Sequence, residues 1–323
     1  MNTEELTFAG VDYNGQERPL PAPSQWELTC SFDSPADSFE GVFPWEQWYP
    51  ELYTLRVRQG QDLVFQGGID EVTCTEDGRG RWMQVLARSA GAALLDNEAL
   101  PQLVQDRSLN EMFQEHVVPF GVTQLVTDVG EDAFLNQYQI PKGTSEWEAF
   151  TNFVRLTGLA IPHLDRQGRM ICLNQLPAGT TRTYSNQGEG TGYCDLKVTN
   201  NRYSPVSQFV IRDQEGYYSY AFDNPYNDRL KLQRRRYLIP SPSFSGSATG
   251  GRIDADLLVR RSMLGKEVIT LTLPGLPEVE VGDSANLITA TQDYLGRFVY
   301  QVRRRVSADG ATTGLTLLDG DFI

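Results

Sequence analysis

The spacing of apolar residues changes along the chain from strand alternation to helical period and back, and this limits the folds that the chain can adopt. Residues 26–83 contain the alternating runs WELTCSF, LYTLRVRQG, LVFQGGIDEVTC and RWMQVLA, which are separated by turn residues. Short punctuated runs of this kind are typical of antiparallel strands in a small barrel or sandwich. Leu55 and Val57 alternate with Arg56 and Arg58, which predicts a sheet with one packed face and one wet face.

Two helices are predicted in the middle of the chain, because two capping boxes stand at the heads of runs with helical period. Ser108 to Glu111 reads SLNE and Ser145 to Glu148 reads SEWE, so serine and glutamate can each satisfy a free backbone amide of the first turn. Pro119 is expected to end the first helix. The second helix is predicted over 146–157, with Gly158 as its C-cap. The side chains predicted to be buried are Leu109, Met112, Phe113, His116, Val117, Trp147, Phe150, Phe153 and Val154.

A β-hairpin is predicted directly after the second helix. The runs LAIPHL and RMICL lie on either side of a turn from Asp165 to Gly168, a spacing typical of two antiparallel strands. The middle of the chain is therefore predicted to run helix, strand, helix, hairpin.

Strand-like runs return after Tyr193 and predict a second β region. They are CDLKVT, SQFVIRD, YYSYAF, EVITLTLPG, SANLIT, RFVYQVRRRVS and GLTLL. Between the third and fourth runs, a Ser, Pro and Gly segment at 240–251 is expected to be an exposed loop. Asp254 is expected to cap a short helix that ends at Gly265. In RFVYQVRRRVS, alternation predicts one face formed by Phe298, Tyr300, Val302 and Val306 and another formed by Arg297, Gln301, Arg303 and Arg305.

Length and charge limit the kind of protein further. A chain of 323 residues exceeds the about 250–300 residues at which single cores stop growing, so two or three domains are expected. The net charge of -14, from 42 acidic and 28 basic residues, argues against specific nucleic-acid binding. The sequence contains no run of about 18 apolar residues, so no membrane-spanning helix is predicted. The start, MNTEELTFAG, has no secretory pattern, so synthesis and assembly in the cytoplasm are expected.

Few residues offer catalytic chemistry, and no catalytic, cofactor or metal site is assigned. His116 and His163 are the only histidines, and each is interpreted as a packing or surface residue. Cys172 or Cys194 with His163 would resemble the nucleophile and base of a cell-wall peptidase, but no cysteine stands at a predicted helix N-terminus that would lower its pKa. The cysteines are spaced without C-x-x-C and are interpreted as reduced thiols; they are Cys30, Cys74, Cys172 and Cys194.

Acidic pairs leave glycan cleavage open as an alternative, because that reaction needs two carboxylates. Glu146 with Glu148 and Asp128 with Glu131 are candidate pairs. Glu146 and Glu148 lie in the first turn of a predicted helix, where the helix dipole stabilises acidic side chains. Their presence therefore needs no catalytic role.

Arginine runs and an aromatic cluster suggest surfaces for partners. The runs at 234–236, 260–261 and 303–305 are interpreted as solvated faces or as contacts with acidic partner surfaces. The cluster FPWEQWYP contains Trp45, Trp48 and Tyr49, which could stack on sugar rings or form a buried or interface loop.

Three segments and a later helix–strand pair carry a resemblance to a known family. The segments are VLARSAGAALLDNEA at 85–99, with Arg88, Ser89, Leu94, Leu95 and Asp96, then SLNEMFQEHVVPFGV at 108–122, and GTSEWEAFTNFVRLTGLAIPHLDRQGRMIC at 143–172; the late pair is DADLLVRRSMLGKEVITLTLPG. In this order they resemble the phage tail baseplate hub family, which includes the hubs of phage Mu and of the defective Bacillus prophage particle PBSX. The segment at 233–251, QRRRYLIPSPSFSGSATGG, matches no pattern of that family.

The resemblance implies a fold and an assembly. It implies a mixed β and α+β fold: a tube-like β-barrel at 1–90, a helix-containing α+β middle domain at 91–190, and a second tube-like barrel at 191–323 with a short helix packed on it. It further implies a non-enzymatic homotrimer in the virion or tail particle, which joins the hexameric tail tube to the trimeric spike and contacts other baseplate and tape-measure components, without a cofactor.

Two other function classes are carried as alternatives. One is a tail-associated peptidoglycan hydrolase, and the other is a module that binds cell-surface carbohydrate. For the hub itself, the sequence fits a complete phage, a defective prophage and a bacteriocin particle.

Overall fold

The computed structural model describes residues 6–45, 51–78, 80–129, 133–240 and 248–323. Within these residues the strands are β1 Leu6–Asp12, β2 Glu17–Leu20, β3 Gln25–Ser31, β4 Ser38–Pro44, β5 Leu52–Gln59, β6 Asp62–Asp77, β7 Gly80–Ser89, β8 Gln102–Ser108, β9 Leu125–Thr127, β10 Phe134–Ile140, β11 His163–Leu164, β12 Met170–Cys172, β13 Thr181–Ser185, β14 Asp195–Asn200, β15 Gln208–Arg212, β16 Tyr218–Asp223, β17 Arg235–Leu238, β18 Glu267–Pro274, β19 Ser284–Ile288, β20 Asp293–Ser307 and β21 Gly310–Asp319. The α-helices are α1 Ala92–Asp96, α2 Leu109–His116, α3 Glu146–Leu156, α4 Asn227–Leu230 and α5 Ala248–Leu264, and 3-10 turns span Val118–Phe120 and Gly320–Phe322.

Strands from both ends of the chain are hydrogen-bonded into one 13-stranded sheet. Its main order is β14-β18-β21-β20-β3-β4-β7-β6-β5-β1-β2, and β13 joins through β19, which pairs with β20. The two ends of the chain meet where β3 pairs antiparallel with β20, with Trp26 opposite Val306 and Ser31 opposite Gln301. The 15 residues of β20 allow this, because they pair with β21 along one edge and with β19 and then β3 along the other.

Two hydrophobic cores lie on this sheet. The amino-terminal core contains the aromatic side chains Phe39 and Phe43, and the carboxyl-terminal core contains Leu271, Leu287 and Val299. The chain is mostly β with few helices, as the sequence predicts. No closed barrel is found among the described strands, and the two tube-like barrels remain a prediction.

Both predicted capping boxes form. Ser108 Oγ accepts from the amide of Glu111 at 3.3 Å, and the Glu111 carboxylate accepts from the amide of Ser108 at 2.9 Å. Ser145 and Glu148 make the same two bonds at 3.1 and 3.2 Å. The first helix, α2, ends before the turn that contains Pro119. The second, α3, ends at Leu156, which confirms the helix predicted over 146–157 to within one residue.

The helices α2 and α3 share the core of the middle region with two small sheets. The β8–β10 pair and the β11-β12-β9 sheet flank them, and β11 with β12 forms the predicted hairpin. All nine side chains that were predicted to be buried lie in or against this core; they are Leu109, Met112, Phe113, His116, Val117, Trp147, Phe150, Phe153 and Val154.

The late helix, α5, differs from its prediction in its start. It begins at Ala248, so Asp254 lies inside it and the prediction of Asp254 as N-cap is wrong. Residues 248–251 are helical and not part of a loop, and residues 241–247 lie outside the described ranges. The helix buries Ala255, Val259 and Met263 against Phe209 and other residues of a separate three-stranded sheet, β16-β15-β17. Packing on this sheet therefore fixes the buried face of the helix.

The predicted faces of β20 hold along only part of the strand. A bulge between Val299 and Gln301 shifts the register, so that Val299 is fully buried and Tyr300 is half-buried. Beyond the bulge, Val302 and Arg304 are buried, whereas Arg303 and Arg305 are exposed, as predicted. The run at 303–305 is therefore not one solvated face, because its central arginine points into the protein.

The cap at the start of α3 provides a test of the middle region. We expect Ser145→Ala to lower the free energy of unfolding by about 1 kcal/mol, because the amide of Glu148 loses its acceptor. Urea unfolding measures the difference. Ser145→Asp restores an acceptor at the same position and should remain within a few tenths of a kcal/mol of wild type; equal stability of the alanine and aspartate variants would contradict the role of the cap.

Candidate functional site

A buried histidine–glutamate pair joins the two main helices. His116 lies in the last turn of α2 and Glu146 in the first turn of α3, and His116 Nδ1 is 2.6 Å from Glu146 Oε2. The His116 side chain is 3% exposed, and its Nε2 has no hydrogen-bond partner within the described residues. A base that must meet a substrate needs access to it. This pair therefore serves helix packing, and the carboxylates Glu146 and Glu148 are occupied by His116 and by the helix cap.

The cysteines and His163 do not form a nucleophile with its base. Cys172 is fully buried, and burial raises the pKa of its thiol to about 12. His163 lies opposite Ile171 in the hairpin, and burial lowers its pKa. Cys194 is exposed. Burial therefore keeps Cys172 and His163 from acting as the activated thiolate and the base that a cysteine peptidase requires.

The remaining candidate residues divide between described and undescribed parts of the chain. Trp45 lies near Arg81, whose guanidinium carbon is 6.0 Å from the ring centroid. Trp48, Tyr49 and Glu131 lie outside the described ranges. Within those ranges, no group of three or more His, Cys, Asp or Glu side chains is placed to hold a metal ion, and no helix is long and apolar enough to cross a membrane.

An aromatic contact connects the middle region to the shared sheet. The ring of Phe32, just after β3, lies 4.7 Å from the ring of His163 and 4.8 Å edge-on from that of Phe298. The amide of Phe32 donates to the carbonyl of Tyr300 at 2.9 Å. One phenylalanine thus contacts the amino-terminal strands, the hairpin and β20, and it is 3% exposed. Edge-to-face pairs of this kind add about 0.5–1.5 kcal/mol beyond area burial.

An ionic cluster with one buried member, Arg304, lies at the same junction. The side chain of Arg304 is 2% exposed; it donates to the carbonyl of Val279 and lies 3.2 Å from Glu280 Oε1. Arg166, in the turn of the hairpin, also pairs with Glu280. Burial raises the pKa of Glu280, and the charges of Arg166 and Arg304 oppose this. The cluster joins the hairpin to the carboxyl-terminal strands through charge-assisted bonds.

The segment from Arg88 to Asp96 has a structural explanation. Arg88 pairs with Asp70 and with Asp96, both at 2.7 Å, so it ties β6 and β7 to α1. The hydroxyl of Ser89 accepts from the amide of Asp37 at 2.9 Å. A Cβ atom at Gly91 would lie 2.0 Å from the carbonyl oxygen of Pro35, so only glycine fits there. This segment therefore fixes the exit from the amino-terminal strands.

An exposed tyrosine face covers the outer side of the β16-β15-β17 sheet. Tyr218 and Tyr237 are 44% and 65% exposed, and their rings meet edge-on at 5.1 Å. Nearby Tyr217 and Ile239 are 68% and 63% exposed. Tyrosine is enriched at protein interfaces, so this face is a candidate contact surface. Its strand β17 lies in segment 233–251 and pairs in parallel with β15.

Sequence reasoning missed the ionic cluster but contained a signal for it. Arg304 stands between Val302 and Val306 at a spacing of two residues, which places all three on one face of the strand. The apolar neighbours could therefore have indicated a buried arginine. The partners Glu280 and Arg166 come from distant segments, and no local pattern points to them.

Comparison with known proteins identifies the fold. No family model matches the chain, and no curated protein matches it. A tail protein from Neisseria meningitidis MC58 is similar, with a TM-score of 0.79 at 18% identity over 98% of this chain and 97% of that chain. The 43 kDa tail protein of prophage MuSo2 from Shewanella oneidensis is similar with a TM-score of 0.77 at 14% identity, over 98% of this chain and 99% of that chain.

A secretion protein shares the same fold. The E. coli c3393 protein, a component of the type VI secretion system described as similar to T4 bacteriophage tail proteins gp27 and gp5, gives a TM-score of 0.58 at 9% identity over 97% of this chain and 76% of that chain. The chain therefore has the fold of these phage tail proteins, which agrees with the hub-family resemblance.

The helix pair predicts a measurable loss of stability. We expect Glu146→Ala to lower the free energy of unfolding by about 1.5–3 kcal/mol, because it removes a charged hydrogen-bond partner from the buried ring of His116. The measurement is urea unfolding. Glu115→Ala, at an exposed position on α2, is the control, with an expected loss of about 0–1 kcal/mol; similar losses for both variants would contradict the role of the pair.

The junction also predicts a pH effect at Asp37. Burial raises the pKa of Asp37, while a hydrogen bond from Cys30 and the charges of Arg166 and Arg304 oppose the rise. The folded protein therefore holds this proton to higher pH than the unfolded chain does, so Asp37 contributes less stability as the pH rises through its folded pKa. Asp37→Asn should be at least as stable as wild type at pH 7 and should lose that relative advantage toward pH 4.

Urea unfolding of both proteins between pH 4 and 7 measures this trend. Asp62→Asn, at an exposed position, controls for the substitution itself. A wild-type advantage over Asp37→Asn that grows with pH would be the opposite of the expected sign.

Proposed function

We propose that this chain is the baseplate hub of a phage-type contractile tail or a related injection particle, where a homotrimer joins the hexameric tail tube to the trimeric spike. The observation that carries the proposal is the likeness to phage tail proteins, which extends over nearly the full length of this chain and of the tail proteins compared with it. A likeness to one isolated domain would fit many functions, whereas a full-length match includes the connections between regions.

The arrangement of the shared sheet supports a role in joining a six-fold tube to a three-fold spike. Each chain carries two cores on one sheet, one from each end of the sequence. In the proposal, 1–90 and 191–323 are the two tube-like units and 91–190 is the middle unit, so three chains present six tube-like units to a six-fold tube. The closed symmetry of such a ring matches the preference of homo-oligomers for cyclic point groups.

The junction residues fit the same role. The ring contacts of Phe32 and the ion pairs of Arg304 and Arg166 hold the hairpin against the sheet. A subunit that transmits force between tube and spike needs its units fixed relative to each other. The proposed partners are a second and third copy of the chain, the tail tube protein, the spike protein and other baseplate and tape-measure components.

The proposal makes the chain a non-catalytic virion or tail-particle component that is assembled in the bacterial cytoplasm. The buried His116–Glu146 pair and the raised pKa of Cys172 support the absence of catalysis. No observation on the described residues favours the peptidoglycan hydrolase over the hub. The net negative charge of the whole chain would repel nucleic acid. It therefore agrees with a ring whose central channel does not hold nucleic acid.

The mass in solution tests the proposal. We expect native mass spectrometry of the purified chain to give three times the monomer mass of 36.2 kDa, and electron microscopy of the chain mixed with its tube protein to show rings with three-fold symmetry. A monomer that binds neither tube nor spike protein at micromolar concentration would contradict the hub. Clearing of purified cell walls by the chain, abolished by Cys194→Ala, would favour the hydrolase instead.

A further inference from the structure

The strand β17 stands at one edge of the β16-β15-β17 sheet. It pairs in parallel with β15, from Arg235 opposite Gln208 to Leu238 opposite Ile211. Within the part of the chain that the structure describes, no strand pairs with its other edge. An edge strand presents a row of backbone donors and acceptors with which another extended chain can pair. Among the described residues, this edge is therefore open to a fourth strand.

The sequence around β17 is basic, although the whole chain is acidic. Residues 229–253 contain six basic residues and no acidic residue; the basic ones are Arg229, Lys231, Arg234, Arg235, Arg236 and Arg252. The net charge of the whole chain is -14. Positive charge is therefore concentrated on and beside this one edge strand.

The arginines of β17 are not neutralised by the sheet to which they belong. Arg235 and Arg236 are exposed, and neither forms an ion pair within 4.0 Å among the described residues. The residues opposite them on β15 are Gln208 and Phe209, which carry no charge. Both guanidiniums thus remain free to bind carboxylates of another chain.

A chain of hydrogen bonds orients Arg235 on the outer face of the sheet. Its Nε donates to Gln208 Oε1 at 2.8 Å, and Gln208 Nε2 donates to Asp223 Oδ1 at 2.7 Å. Asp223 lies two strands away from Arg235, so Gln208 separates the two charges. The terminal nitrogens of Arg235 make no hydrogen bond with a described residue, and such nitrogens bind carboxylates in pairs.

An aromatic side chain continues the same face beyond Arg235. The ring of Tyr237 is 65% exposed and meets the ring of Tyr218 edge-on at 5.1 Å. Because side chains alternate along a strand, Arg235 and Tyr237 lie on one face of β17 and Arg236 on the other. A strand placed beside β17 would therefore meet an arginine on each face and an aromatic ring next to one of them.

Charge selects the kind of strand that this edge can accept. A second copy of β17 would place arginines beside arginines, and like charges directly opposite each other destabilise a strand pair. A nucleic-acid strand carries negative charge but offers no peptide backbone to extend the sheet, and the rest of the chain would repel it. An extended acidic segment of polypeptide provides both the backbone partners and the opposite charge.

We propose that the free edge of β17 binds an extended acidic segment of a partner protein, which adds a fourth strand with carboxylates beside Arg235 and Arg236 and an apolar side chain beside Tyr237. Strand addition gains affinity from main-chain hydrogen bonds and specificity from the alternating side chains. The inference goes beyond the proposed function and does not require a trimer. Its test can therefore fail while the trimer forms, and it can succeed if the chain is a monomer.

The experiment compares three short fluorescein-labelled peptides by fluorescence anisotropy with the purified full chain. The first has a central Val-Glu-Glu-Val flanked by threonines, so that it can pair in either direction. In the second, glutamine replaces each glutamate. The third has the first sequence with its central backbone amides N-methylated, so that it keeps the charge but cannot donate to a strand.

We expect the first peptide to bind at least about tenfold more tightly than either of the others at low salt. The amide peptide loses the charge-assisted bonds, and the N-methylated peptide loses the main-chain bonds. Binding of the amide peptide or of the N-methylated peptide that equals that of the first would overturn the proposal, and so would a lack of binding by all three.

Variants of the two arginines locate the binding. The double variant Arg235→Gln with Arg236→Gln should lose the preference for the acidic peptide, and Arg235→Lys should keep most of it because the charge remains. Arg303→Gln with Arg305→Gln removes the same charge from exposed positions of β20 and should bind as wild type. Circular dichroism melts verify that each variant is folded.

Two results with these variants would contradict the proposal. A preference for the acidic peptide that persists in the folded double variant would show that the peptide binds elsewhere. Tighter binding of a single-stranded oligonucleotide than of the acidic peptide, lost in the same double variant, would assign this edge to nucleic acid instead.

Discussion

The antiparallel pairing of β3 with β20 is the contact on which the rest of the arrangement depends. It brings together segments that are 270 positions apart, with Gln301 Nε2 donating to Ser31 Oγ at 2.9 Å. Closing so long a loop costs conformational entropy, so the pairing must be stabilised by the cores on either side of it. Leu28 belongs to one core and Val302 to the other, and these adjacent strands therefore join the two cores through the sheet itself. The pairing therefore sets the amino-terminal strands against the carboxyl-terminal strands, and the contacts of Phe32 and Arg166 add the middle region to this arrangement.

The junction beside this pairing combines apolar and ionic contacts that act differently. Phe32 contributes buried area in contact with His163 and Phe298, and it tolerates small movements. The Arg304 cluster is stricter, because a buried guanidinium must keep its bonds to Val279 and Glu280 to offset the loss of hydration. Breaking a buried pair typically costs about 3–5 kcal/mol, although replacing the whole pair with apolar groups often costs little. The hairpin itself is joined to the cluster through Arg166, whose side chain is 56% exposed, so this link adds little to stability.

Local signals in the sequence predicted the middle region well, and non-local contacts explain what they missed. The capping boxes at Ser108 and Ser145 act within four residues, so the two helices and their buried faces could be read directly. The start of α5 could not, because its first turns contain Gly250 and Gly251, which are poor helix formers, and packing on the β16-β15-β17 sheet decides the outcome. The bulge in β20 and the partners of Arg304 likewise depend on strands that are distant in sequence.

Core residues, close contacts and surface residues of this fold are constrained in different ways. Core positions need only apolar side chains of suitable volume, so a fold of this kind can persist while most residues change. Glycine at position 91 and the Arg88 ion pairs are stricter, because they depend on one close approach and on specific charges. The exposed rings of Tyr218 and Tyr237 are constrained in neither way, because they meet each other at the surface and do not enter a core. Because the two rings bury little area within this chain, a protein partner that covers them would gain most of the apolar burial that they can provide.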